Sequence, residues 1–181
     1  MKKIFAAAFC ICLSGCLGYH IGGIKPYYLK EVQAIAVPTF KNDTLIPHID
    51  SLVTNTVIKQ FQQDGTFRIV NEGNADAILK AEITRIVRSP ARSLVGNVLA
   101  TTEFNLSLHV RYHLVGRDGK PLGPTGEAVG TTSFFVRGDS NLNVNQSNST
   151  AGDVTADERQ ALPLATEDLA TRLVSQLSEG W

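Results

Sequence analysis

The sequence predicts an α+β domain: two amphipathic helices packed on one face of a mixed four- to five-stranded sheet. Three observations carry that prediction. Residues 103–114 alternate strictly between polar and apolar, as an antiparallel strand with one dry face does. Two stretches, around 49–61 and 162–177, instead repeat their apolar residues at helical spacing. The first of these lies between two short apolar runs, an order that suits a crossover joining parallel strands. With 181 residues, 43% of them hydrophobic, the chain can fill one such core and not comfortably two.

The elements follow in order. Lys2 and Lys3 precede the apolar run Ile4 to Leu13, and Ser14, Gly15 and Cys16 close it. Residues 1–15 therefore read as a bacterial secretory signal. The run is well short of the roughly 20 apolar residues a spanning helix needs. Residues 16–30 hold three tyrosines, three glycines and a proline and read as a tether, with the domain occupying 31–181. Val32 to Val37 is a short strand that Pro38 ends. Pro47 suits a first helical turn, and Ile49, Leu52, Val53, Thr56, Val57 and Phe61 make one stripe. Asp64-Gly65 stops that helix, and Thr66 to Val70 is the next strand. Leu79, Ala81 and Ile83 alternate with polar neighbours until the phase slips, which predicts a bulge near Thr84 to Ile86. Asp118-Gly119 turns the chain after the long strand. Gly123-Pro124 and Gly126 break the return path, and Val129 to Arg137 forms another strand. The loop 138–153, with four asparagines and three serines, is long enough to be functional. Asp153 or Thr155 caps the last helix, whose stripe is Leu162, Ala165, Leu169, Leu173, Val174 and Leu177. Pro163 should kink that helix or delay its start.

Composition excludes several functions. Seventeen basic residues balance seventeen acidic ones, so the basic excess of a general nucleic-acid binder is missing. The cysteines are Cys10, Cys12 and Cys16 only. Removal of the signal leaves one of them, and no disulfide is available to hold the fold. His109 and His113 have the spacing of a metal pair on a helix. On a strand rising about 3.3 Å per residue they stand roughly 13 Å apart, too far to share an ion. No nucleophile elbow, phosphate-binding glycine loop or acid/base pair of carboxylates is present, so neither an enzyme nor a cofactor or metal is expected. The Asn-x-Ser/Thr sequences starting at Asn42, Asn105, Asn145 and Asn148 read as chance in a chain with a bacterial secretory signal.

Two surfaces remain as candidates. Two helices cover one side of the sheet, which leaves Glu103, Asn105, Ser107, His109, Arg111 and His113 on the other. Plain solvent exposure and a partner that is itself wet both fit such a face, and the second reading makes these six a partner interface. If residues 79–88, 102–115 and 129–137 form an antiparallel meander, Arg85, Arg88, Arg92 and Arg137 gather at one edge. Arg88, Arg92 and Arg137 are then candidates for binding an anionic lipid through charge-assisted forks, with ordinary solvated surface as the other reading.

The ending Leu13-Ser14-Gly15-Cys16 resembles the lipobox of bacterial lipoproteins, which implies cleavage before Cys16 and acylation of its thiol and amine, palmitate included. Two or three acyl chains anchor a protein firmly where one does not. Residue 17 is Leu, not the Asp that retains such lipoproteins at the inner membrane in enteric bacteria. The resemblance therefore implies the periplasmic side of the outer membrane.

Beyond the anchor, the segments Cys16-Leu17-Gly18-Tyr19-His20, Ala36-Val37-Pro38-Thr39-Phe40-Lys41-Asn42, Phe61-Gln62-Gln63-Asp64-Gly65-Thr66 and Thr102-Glu103-Phe104-Asn105-Leu106 are similar to the LptE family of lipopolysaccharide-assembly lipoproteins. The likeness runs from Cys16 to Leu177. It implies two helices on a mixed sheet, residence inside the LptD barrel of the outer membrane and binding of lipopolysaccharide. Only Cys16 transfers as a functional residue. The alternative is a periplasm-facing lipoprotein that activates a cell-wall synthase or another envelope complex.

Overall fold

A computed structural model describes residues 25–93, 101–135 and 156–180. Cys16, Leu17, Arg137, the loop 138–153 and the expected caps Asp153 and Thr155 lie outside them. The strands are β1 (Ala34–Ala36), β2 (Lys41–Asn42), β3 (Arg68–Ile69), β4 (Ala77–Ser93), β5 (Thr101–Gly116) and β6 (Pro121–Phe135). The helices are α1 (Ile49–Asp64) and α2 (Ala156–Ser178). The sheet order is β3-β1-β4-β5-β6, with β2 also pairing with β4. β1 runs parallel to β3 and β4, and β4, β5 and β6 form an antiparallel meander. The α+β class and the mixed sheet are as the sequence predicts. Among the described residues the sheet has six strands, because β2 is a two-residue strand that alternation has no means of marking.

Both helical stripes are buried. Ile49, Val53, Val57 and Phe61 of α1 meet Leu162, Ala165, Leu169, Leu173, Val174 and Leu177 of α2 in one core with Leu106, Leu108, Val110, Tyr112 and Leu114 of β5. Gly65 ends α1 in the left-handed conformation, φ 74°, and its N–H donates to the Phe61 carbonyl at 3.0 Å. Pro47 lies before the helix and not in its first turn, since His48 is the N-cap and α1 begins at Ile49. Buried Thr54 ties the β1–β2 connection to α1: its hydroxyl donates to the Asp50 carbonyl at 2.7 Å and accepts the Phe40 N–H at 3.0 Å. Asp76 performs the same task beside β4. Its carboxylate accepts the N–H groups of Ala34 at 2.9 Å and Gln33 at 3.1 Å, and these bonds hold it below the usual carboxylate range.

Two expectations about chain breakers are corrected. Pro163 does not delay α2, which starts at Ala156 and continues past the exposed proline ring to Ser178. β6 begins at Pro121, eight residues before the expected strand, with Gly123, Pro124 and Gly126 inside it. The ladder absorbs them in a shift: Tyr112 pairs with Gly126 and Leu114 with Leu122. A side chain at Gly126 would collide with the Tyr112 ring, and one at Gly123 with the Tyr28 ring. These glycines admit aromatic rings. The phase slip in β4 is a register shift between Ile83 and Arg85, where it was expected.

Candidate interaction face

α2 packs on β6 and β5 and also closes the outer edge of β6. The Asp168 carboxylate accepts the Thr131 N–H at 2.8 Å, and the Gln176 amide donates to the Glu127 carbonyl at 3.4 Å. Tyr112 donates its hydroxyl to Gln176 Oε1 at 2.7 Å, and burial pushes that hydroxyl up to about 12, so it stays a donor. With one face packed and one edge occupied, the opposite face of the β4–β5–β6 ribbon is the surface left for function.

Glu103, Asn105, Ser107, His109, Arg111 and His113 lie along the middle strand of that face. Register adds the neighbours that the sequence alone did not assign. Lys80 stands opposite His113, Glu82 opposite Arg111, and Arg85 opposite His109 on one side. Glu127 faces Arg111, and Val129 faces His109, on the other. The half of the face nearer β1 and β2 is charged. Lys41 lies 2.7 Å from Glu82 and 2.9 Å from Asp43, and those hydrogen bonds raise its amine to about 12. Arg111 lies 4.0 Å from the other Glu82 oxygen. His109 Nδ1 lies 3.2 Å from Glu127 and 3.3 Å from Arg85. Lys41, Lys80, Glu82, Arg111 and His113 surround a concavity of about 590 Å³. His109 and His113 thus serve different neighbours, and no group of His, Cys, Asp or Glu able to hold a metal occurs among the described residues.

Among the described residues, no ion pair crosses the other half, toward the far ends of β4 and β6. Ser89, Asn105, Ser107, Thr131 and Ser133 line a second concavity of about 460 Å³.

The expected arginine cluster is divided between the faces. Arg85 belongs to the wet face. Arg88 pairs with Leu106 on the helix side, where its guanidinium lies 2.7 Å from the buried Glu158 carboxylate. Arg88 is therefore not plain solvated surface: the guanidinium balances an interior charge. Arg92 stands at the register position opposite Glu103, and Arg137 is outside the described residues.

Together these features define a class: a two-layer α+β protein whose sheet is dry on the helix side and polar on the other. Residues 32–177 match the family model for lipopolysaccharide assembly, LptE. That is most of the chain, and the protein belongs to this family. Solved structures are similar to the chain at low identity. A Xanthomonas campestris protein is 13% identical at a TM-score of 0.50, over 80% of this chain and 84% of that one. The PelC dodecamer subunit from Paraburkholderia phytofirmans is 15% identical at 0.48, over 81% and 89%. Lipoprotein B from Nitrosomonas europaea is 15% identical at 0.48, over 81% and 83%. At 13% identity the likeness to the Xanthomonas campestris protein concerns the fold alone. No curated protein matches the chain. Among the described residues, no helix is long and apolar enough to cross a membrane.

Proposed function

We propose that this protein is an outer-membrane lipoprotein, anchored through Cys16 on the periplasmic side, that plugs and helps assemble an LptD-like barrel and binds lipopolysaccharide. Its role is binding and assembly, not catalysis. The observation that supports this reading most is the uncovered polar face of β5, within a chain of the lipopolysaccharide-assembly family. A barrel lumen is lined by polar side chains and water, and a face bearing charges and imidazoles suits it where an apolar face would not. The test is photo-crosslinking in cells from His109, Arg111 and His113, followed by purification from detergent-solubilised outer membrane. A large barrel protein is the expected adduct. Capture of a peptidoglycan synthase, or adducts from the tether alone, would overturn lumen burial.

Cys16→Ala is expected to leave the chain unacylated and to release it from the membrane fraction. Mass spectrometry of the mature N-terminus checks the anchor directly, since an unmodified Cys16 in the wild type would end the proposal.

The anionic-lipid site is proposed at Arg88, Arg92 and Arg137. Each charge-assisted contact to a phosphate is worth about 1.5–3 kcal/mol before solvent screening reduces it. Arg92→Ala with Arg137→Ala is expected to weaken lipopolysaccharide binding without changing the thermal midpoint. Wild-type binding should also weaken with added salt. Equal binding by wild type and double variant at low salt would place the site elsewhere.

A further inference from the structure

We infer that the second concavity of the open face, lined by Ser89, Asn105, Ser107 and Ser133, is a saccharide-binding site. This rests on the reading of the face as lumen-facing and narrows it. The charged band meets the protein partner, and the far half keeps a gap that a sugar fills.

Four observations meet there. The lining is uncharged, although the rest of the face is rich in ions. None of the four side chains makes a hydrogen bond among the described residues, so three hydroxyls and an amide stand ready to donate and accept. The volume of about 460 Å³ is within the range of small-ligand sites. Exposed carbon flanks the polar patch on both sides. Val87, 41% exposed, lies opposite Ser107, and Phe135, 64% exposed, follows Ser133 on the same face of β6.

A sugar ring complements this set. Its edges carry hydroxyls that both donate and accept, and its C–H faces pack on aliphatic and aromatic carbon. An anionic headgroup would find no cation in this lining, and an apolar chain would leave its hydroxyls and amide unpaired. Thr131 adds less, because its hydroxyl already faces Asp168 at 3.4 Å.

The test uses the full-length lipidated protein in a sugar-free detergent and saturation-transfer NMR. One probe is the oligosaccharide released from lipopolysaccharide by mild acid and then dephosphorylated. The other is a peptidoglycan glycan strand stripped of its peptides. The expected result is binding of the first, unchanged by salt, with the dissociation constant raised at least about tenfold in Phe135→Ala/Asn105→Ala. Ser133→Glu, which puts a charge into the concavity without removing any packing, should do the same if the double variant unfolds. Arg92→Ala/Arg137→Ala should leave this binding untouched. No signal from either glycan overturns the saccharide site, whatever intact lipopolysaccharide does. Binding that survives both Phe135→Ala/Asn105→Ala and Ser133→Glu also overturns it. Binding of the peptidoglycan strand alone would uphold the saccharide site and overturn the lipopolysaccharide reading of the face.

Discussion

Gly130→Ala is expected to destabilise the domain by about 3 kcal/mol or more, and Gly130→Val to prevent folding. Gly130 is where α2 comes closest to β6. A Cβ there would collide with the Ala165 carbonyl oxygen and lie 2.5 Å from Leu169 Cβ and 2.6 Å from Leu169 N. Two of those atoms are backbone, so no rotamer change relieves the contact. The helix itself must lift. Lifting it pulls Ala165, Leu169 and Leu173 away from the core and breaks the Asp168 bond to the Thr131 N–H. A domain stable by about 5–15 kcal/mol has little room for that loss. In urea denaturation the midpoint should fall sharply. Gly73→Ala is the matched control, since a Cβ at Gly73 meets nothing within 4 Å, and its effect should stay within about 0.5 kcal/mol. Similar losses at both sites would mean that α2 does not rest on Gly130.

Gly130 also marks the limit of what the sequence discloses. The stripes of α1 and α2 and the twelve-residue alternation of β5 are local patterns, and the structure uses every apolar position in them. The bulge between Ile83 and Arg85 was legible because it breaks such a pattern. The start of β6 was not. Gly123, Pro124 and Gly126 look like chain breakers, and only the rings of Tyr28 and Tyr112, distant in sequence, explain why a strand continues through them. The candidate face was half legible. Its central row follows from β5 alone, whereas Lys80, Glu82 and Glu127 join it only once register is fixed. For the arginines, the needed signal was present in the spacing. Beyond the bulge, side chains alternate faces, so Arg85 and Arg88, three residues apart, had to part company. What spacing could not supply was Glu158, seventy residues later, waiting on the helix side.

That carboxylate sets the second large effect. Arg88→Ala is expected to cost about 3 kcal/mol, the lower end of the range for breaking a buried ion pair, because Arg88 is itself 35% exposed while Glu158 is 2% exposed. The loss comes from taking a close countercharge away from a buried carboxylate, more than from forfeiting the attraction itself. It follows that removing both charges should recover most of it. Arg88→Met with Glu158→Leu keeps the volume and deletes the interior ions, and such replacements are often neutral or stabilising. A double-mutant cycle by urea denaturation measures the difference. If Arg88→Ala and Arg88→Met/Glu158→Leu lose the same stability, the pair is not what holds the start of α2 to β4. The cycle also separates structure from ligand binding. Arg88→Ala would weaken lipopolysaccharide binding simply by loosening the fold, whereas the stable double variant lacks only the guanidinium. Reduced lipid binding by that variant would assign Arg88 a contact of its own with the anionic headgroup. Unchanged binding would leave Arg92 and Arg137 as the proposed ligands and make Arg88 the brace that positions the strand carrying Arg92.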